Sequence, residues 1–229
     1  MASNNALKYN VDIVFCIDAT GSMSGILDKV KKRVLNFHGD LLETMEKKNK
    51  HVDTLRVRVV AFRDYAADGE QAMLVTDFFN LPEQSEIFAN CIRSIQPKGG
   101  GDDPEDSLEA LAYAMRSDWL RTQSLMKRQV IVLWTDAGPH PLGFGSGAKN
   151  YPKGMPKDLT ELSAWWGSAE APGYMDNRAK RLLMYAPEEP TWNLISESWN
   201  NTIFFPSVAG EGLKEVEYRQ IIDVIANSI

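Results

Sequence analysis

Ile13-Val14-Phe15-Cys16-Ile17-Asp18-Ala19-Thr20-Gly21-Ser22-Met23-Ser24 decides the reading of this chain. A continuous apolar, β-branched run leads into Asp-x-Thr-x-Ser. Such a run suits a parallel strand covered on both faces. The loop leaving it offers one carboxylate and two hydroxyls at alternate positions. These are hard oxygen ligands, suited to Mg²⁺ or Mn²⁺ rather than to a soft metal. The same three residue types also cap helices, so the surrounding pattern has to decide between the two roles.

Outward from this stretch the periodicity alternates between strand and helix. Gly25 to Lys48 carries Leu27, Val30, Val34, Phe37, Leu41 and Met45 at spacings of three and four, which predicts one long amphipathic helix. Strands are predicted at Val11–Ile17, Leu55–Phe62, Leu74–Phe79, Gln129–Trp134 and Thr202–Phe205. Further helices are predicted at Glu83–Ile95, Ser107–Leu120 and Gly212–Ile225. Pro104, with acids around it, marks a helix start after Gly99-Gly100-Gly101. Strands alternating with helices predict an α/β fold, a doubly wound and mostly parallel sheet flanked by helices. In such sheets ligands bind outside the carboxyl ends of the strands. Asp18, the Gly99–Glu105 loop and Asp136, which follows Val130 to Thr135, should therefore meet at one rim.

The whole of residues 1–229 reads as one domain, with a Gly/Pro- and Trp-rich insertion at 137–201. Five glycines and four prolines between Ala137 and Pro156 forbid regular structure there. The remainder reads as helical and carries Trp165, Trp166, Trp192 and Trp199, four of the six tryptophans. Disordered segments are poor in aromatics, so the insertion should be ordered. Most of these rings should fill its own core.

Composition narrows the class. With 44% hydrophobic and 24% charged residues the chain is an ordinary globular one, and its net charge of −6 argues against a direct nucleic-acid surface. Two cysteines make no disulfide framework, and no stretch has the length of a membrane span or a signal peptide. A cytoplasmic location is expected.

These motifs resemble the von Willebrand factor type A domain and its metal-ion-dependent adhesion site. Asp18, Thr20 and Ser22 match the Asp-x-Ser-x-Ser motif, with Thr replacing the first Ser and keeping the hydroxyl. Asp136 matches the Asp after a later strand. The family's Thr position falls on Glu105, as in the β-integrin version where an acid binds the metal. The Gly100-Gly101-Asp102-Asp103-Pro104-Glu105 run, with the Arg63-Asp64 pair, resembles domains found beside alpha-kinases and in bacterial stress or defence systems. The resemblance implies a Rossmann-like fold and an ion, Mg²⁺ or Mn²⁺, held by Asp18, Thr20, Ser22, Glu105 and Asp136. Asp102 and Asp103 are candidates for a second ion or for supporting the first. Three carboxylates leave the occupied site with one net negative charge.

The function implied is a protein-interaction module, not an enzyme, whose ion is bridged by a partner's Asp or Glu. Its setting would be a multi-protein bacterial stress or defence assembly with a separately encoded kinase, phosphatase or ATPase. The alternative is a Mg²⁺-dependent phosphohydrolase. Haloacid-dehalogenase-type phosphatases, however, need a second Asp two residues after the first, where Thr20 stands. His140 and Asp64 read as structural loop residues, Asp64 capping its loop and pairing with Arg63.

Overall fold

The computed structural model describes residues 8–100, 104–122 and 126–229. Among these described residues seven strands form one sheet: β1 (Lys8–Asp18), β2 (His51–Phe62), β3 (Met73–Val75), β4 (Phe79–Leu81), β5 (Lys127–Trp134), β6 (Lys180–Pro187) and β7 (Thr202–Ser207). Their order is β3-β2-β1-β5-β6-β7, with β4 also on β2. β2, β1, β5, β6 and β7 run parallel, and the short β3 and β4 are antiparallel to β2. The helices are α1 (Ser24–Arg33), α2 (Phe37–Glu46), α3 (Tyr65–Asp68), α4 (Ser85–Ser94), α5 (Ser107–Met115), α6 (Leu159–Trp166), α7 (Pro190–Ser198) and α8 (Tyr218–Ser228).

Alternate β1 side chains divide between two cores, as the pleat requires. Ile13, Phe15 and Ile17 join α1, α2, α4 and α8 on one face. Val14 and Cys16 join α5, α6 and α7 on the other. Phe15 gathers Phe37, Phe88 and Trp134 at centroid distances of 5.5, 6.5 and 5.3 Å. The predicted doubly wound α/β sheet is therefore present.

Several boundaries differ from expectation. The long helix breaks into α1 and α2 at a 3₁₀ turn, Val34–Asn36. The weak helix former Asn36 falls at this break, with Gly39 following in the first turn of α2, yet all six expected core positions are buried. The strand expected at Leu74–Phe79 is two strands. Between them the Thr76 hydroxyl accepts the Val59 N–H at 3.0 Å, interrupting the backbone ladder. α5 stops at Met115, whose carbonyl accepts the Trp119 indole N–H at 3.0 Å. α8 starts late because Gly212 and Leu213 have φ of +62° and +51°, outside the helical range.

The largest correction concerns 137–201. Lys180–Pro187 is a strand of the central sheet, paired with both β5 and β7, so the span is not wholly an insertion. Its Leu182-Leu183-Met184 core is as compatible with helix as with strand, and periodicity alone does not separate the two. The excursion proper lies before Lys180. It contains α6 and is tied back by the fully buried Lys180. The Lys180 ammonium donates to the carbonyls of Trp166 and Gly167 at 2.6 and 2.9 Å. Burial pushes its pKa down to about 8. Trp166, Trp192 and Trp199 are buried, while Trp165 is half-buried.

Candidate metal centre

The carboxyl ends of β1, β2 and β5 lie side by side, since Ile17 pairs with Trp134 and Asp18 with Phe62. Asp18 is fully buried. Its Oδ1 accepts from the Thr20 N–H at 2.9 Å and the Thr20 hydroxyl at 2.6 Å. Its Oδ2 accepts from the Thr135 hydroxyl at 2.8 Å. The Thr20 and Ser22 hydroxyls are 3.4 Å apart. Ser22 Oγ donates to Asp136 Oδ1 at 2.9 Å, and the Gly212 N–H donates to Asp136 Oδ2 at 2.8 Å. Asp18, Thr20, Ser22 and Asp136 thus form one connected polar chain. Thr20 caps no helix N–H, and α1 starts without a side-chain cap. These hydroxyls are used within the polar chain, not for capping.

Glu105 enters from the third loop. A Cβ on Gly100, at φ +77°, would sit 2.6 Å from Glu105 Oε1 and 2.9 Å from Thr20 Cγ2. Only glycine admits so close an approach in this conformation. The Glu105 backbone is laced to the Asp136 loop: its N–H donates to the Gly138 carbonyl at 3.0 Å, and its carbonyl accepts from the His140 N–H at 2.8 Å. Glu105 is 4% exposed, yet its Oε2 has no hydrogen-bond partner among the described residues. Of the five expected ligands only Ser22 is exposed.

The electrostatics report uncompensated negative charge. Burial, and secondarily Asp136, raises the Asp18 carboxyl to about 6 against its hydrogen bonds from Thr20 and Thr135. Burial and then repulsion from Asp18, Asp64, Asp68 and Asp106 raise Glu105 to about 9. Three carboxylates and two hydroxyls, with one buried carboxylate oxygen bare, are a donor set that fits a hard divalent cation. A cation there would reverse the local pKa pattern.

Asp102 and Asp103 lie outside the described residues. Asp64 caps α3, accepting the Ala66 N–H at 2.6 Å. The expected Arg63–Asp64 pair is not formed. The Arg63 guanidinium instead donates to the carbonyls of Ala19, Lys98, Gln71 and Gln96 at 2.6–3.1 Å, bracing the loops behind the centre. Beside this centre, Asp64, Asp106 and His140 bring ligand atoms within 4.8 Å of one another, all three residues being buried. Thr135 and Gly212 were missed in the sequence. Thr135 adjoins Asp136 in a strand-end motif and was within reach, whereas nothing local marks Gly212.

A family model for the von Willebrand factor A domain matches residues 12–141, more than half of the chain, and the chain belongs to that family. Domains of this family are typically metal-dependent protein-interaction modules, generally without catalytic activity. The chain is 23% identical over 149 residues to an alpha-protein kinase of Dictyostelium discoideum, vwkA. That match covers 65% of this chain and 22% of the kinase, so the chain spans about a fifth of that relative. Among solved structures, the pilus adhesin SpaC of Lactobacillus rhamnosus GG in its open conformation is similar over 96% of this chain and 30% of its own, at 14% identity and TM-score 0.53. Proximal thread matrix protein 1 of the mussel byssus is similar over 96% of this chain and 49% of its own, at 14% identity and TM-score 0.52. At these identities the structural likenesses concern the fold. Among the described residues no helix is long and apolar enough to cross a membrane.

Proposed function

We propose that this chain is a metal-dependent protein-interaction module. Asp18, Thr20, Ser22, Glu105 and Asp136 would hold one Mg²⁺ or Mn²⁺, and a partner's Asp or Glu would complete its coordination from the Ser22 side. The observation that carries the reading is the unpartnered, buried Glu105 Oε2 beside the connected Asp18–Thr20–Ser22–Asp136 chain. When bound, the ion supplies a positive charge that a partner carboxylate can share. The protein's own residues set its position and leave access at one side.

A setting beside a phosphotransfer enzyme, such as a separately encoded kinase, phosphatase or ATPase, is supported by the alpha-protein kinase relative. A bacterial stress or defence assembly is supported by the Gly100–Glu105 resemblance alone. A cytoplasmic site of action is supported by the free thiols Cys16 and Cys91. The phosphohydrolase alternative gains no supporting observation, because both oxygens of Asp18 accept hydrogen bonds from threonines.

The test has two parts. Thermal unfolding should shift upward with Mg²⁺ in the native chain but not in Asp18→Ala; a ligand at a hundred times its Kd stabilises by about 2.7 kcal/mol. Partner capture should then be lost both with EDTA and with Asp18→Ala. Equal recovery in all three conditions rules the module reading out.

A further inference from the structure

We propose that Asp64, Asp106 and His140 form a second divalent-metal site beside Glu105, taking a borderline transition ion such as Zn²⁺ or Mn²⁺. The site is separate from the oxygen-lined centre and shares no ligand with it. Each residue comes from a different loop: Asp64 follows β2, Asp106 precedes α5, and His140 lies beyond Asp136. Backbone bonds lace these loops together. The Asp106 N–H donates to the Arg63 carbonyl at 3.1 Å, and the His140 N–H donates to the Glu105 carbonyl at 2.8 Å.

The donor atoms are arranged as ligands are. His140 Nε2 lies 3.7 Å from Asp64 Oδ2, too far for a hydrogen bond. It is close to the roughly 3.4 Å between tetrahedral ligands at about 2.0–2.1 Å from one zinc. One oxygen of each carboxylate is already held by backbone: Asp64 Oδ1 by the Ala66 N–H and Asp106 Oδ2 by the Tyr65 N–H, both at 2.6 Å. Such outer contacts orient first ligands and leave the other oxygen for the metal. The His140 ring is stacked on Phe144 at 3.9 Å, which fixes its plane.

A second observation points to a ligand. Asp106 is fully buried, yet its Oδ1 accepts no hydrogen bond among the described residues. A bare buried carboxylate oxygen is costly unless a cation meets it. The Arg63 guanidinium, one residue before Asp64, is committed to four carbonyls. An imidazole with two carboxylates suits Zn²⁺ or Mn²⁺ better than Mg²⁺, which favours all-oxygen shells. Glu105 and Asp106 would thus serve two different ions from adjacent positions. An ion on Asp106 would hold rigid the loop that carries Glu105.

The experiment counts metal on the stripped, full chain after dialysis against Zn²⁺, Mn²⁺ or Mg²⁺. The Asp18→Ala variant, lacking the first centre, is expected to keep one Zn²⁺ or Mn²⁺ per chain and to bind no Mg²⁺. Adding Asp106→Asn or His140→Gln to it should weaken Zn²⁺ and Mn²⁺ by at least about tenfold. Co²⁺ loaded into Asp18→Ala should show visible d–d bands that Asp106→Asn removes, which serves if His140→Gln does not fold. Absence of stoichiometric Zn²⁺ and Mn²⁺ from Asp18→Ala overturns the proposal. So does unchanged binding after Asp106→Asn. Failure of the first-centre reading has a different sign, a Mg²⁺ thermal shift that survives Asp18→Ala.

Discussion

Asp18 and Glu105 tie stability to pH through their raised pKa values. The folded, metal-free chain holds protons that the unfolded chain releases, between pH 3.8 and about 6 at Asp18 and between 4.5 and about 9 at Glu105. The native state therefore binds more protons in this window, and stability falls as pH rises through it. Each group contributes a slope of up to about 1.4 kcal/mol per pH unit. Thermal unfolding without metal should show a melting point that declines from pH 5 to 9. Saturating Mg²⁺, which favours the ionised forms, should flatten or reverse that decline. Glu105→Gln should flatten it without metal. Parallel pH profiles with and without Mg²⁺ would contradict the assignment. At this scale much of the centre was legible. Asp18, Thr20 and Ser22 share one loop, so their proximity follows from chain connectivity. Gly212 was not legible, since its contact with Asp136 joins segments distant along the chain, whereas Thr135 stands beside Asp136 in the same strand-end motif.

Among the elements, Arg63 at the end of β2 acts as the brace between loops. Its planar fork reaches four carbonyls, on the β1–α1 loop, on the segment before β3 and on the segment after α4. Lysine cannot reproduce that geometry. Arg63→Lys is expected to lower stability by about 1–3 kcal/mol, because buried carbonyls lose donors. It should also weaken Mg²⁺ binding, because the Ala19 carbonyl beside Asp18 is released. Denaturant unfolding and Mg²⁺ titration of the variant would show both effects, and a loss of stability alone would confine Arg63 to packing. The sequence offered the Arg63-Asp64 pair as an ion pair. Three-dimensional placement turned the two side chains to different tasks, since Asp64 is taken by the α3 N-terminus.

For the molecule as a whole, stability and site are separable along β1. Asp12 lies six residues before Asp18, about 20 Å along a strand. It forms a bidentate pair with Arg56 on β2, at 2.8 and 2.6 Å, and also accepts the Leu120 N–H at 2.6 Å. Asp12 is 1% exposed. Removing Asp12 leaves the partly exposed Arg56 guanidinium and the Leu120 N–H without their acceptor, so Asp12→Ala should cost about 1–3 kcal/mol. Mg²⁺ affinity of the folded variant should be unchanged. Asp18→Ala should do the opposite, abolishing the Mg²⁺ response with a smaller loss of metal-free stability, since it removes a carboxyl that burial disfavours. Equal losses of Mg²⁺ affinity in both variants would show that the two ends of the sheet are coupled.

Local pattern by itself determined the sheet's class, the strand that carries Asp18 and the convergence of strand ends. Hydrophobic periodicity and the right-handed crossover are properties of short segments. Tertiary structure alone decided that Lys180–Pro187 is a strand, because Leu, Met and Tyr take either form until neighbours on both sides supply hydrogen-bond partners. It also decided that Asp64, Asp106 and His140 share a buried space. Their separation along the chain hides that contact, and only the packing of three loops behind one strand edge creates it.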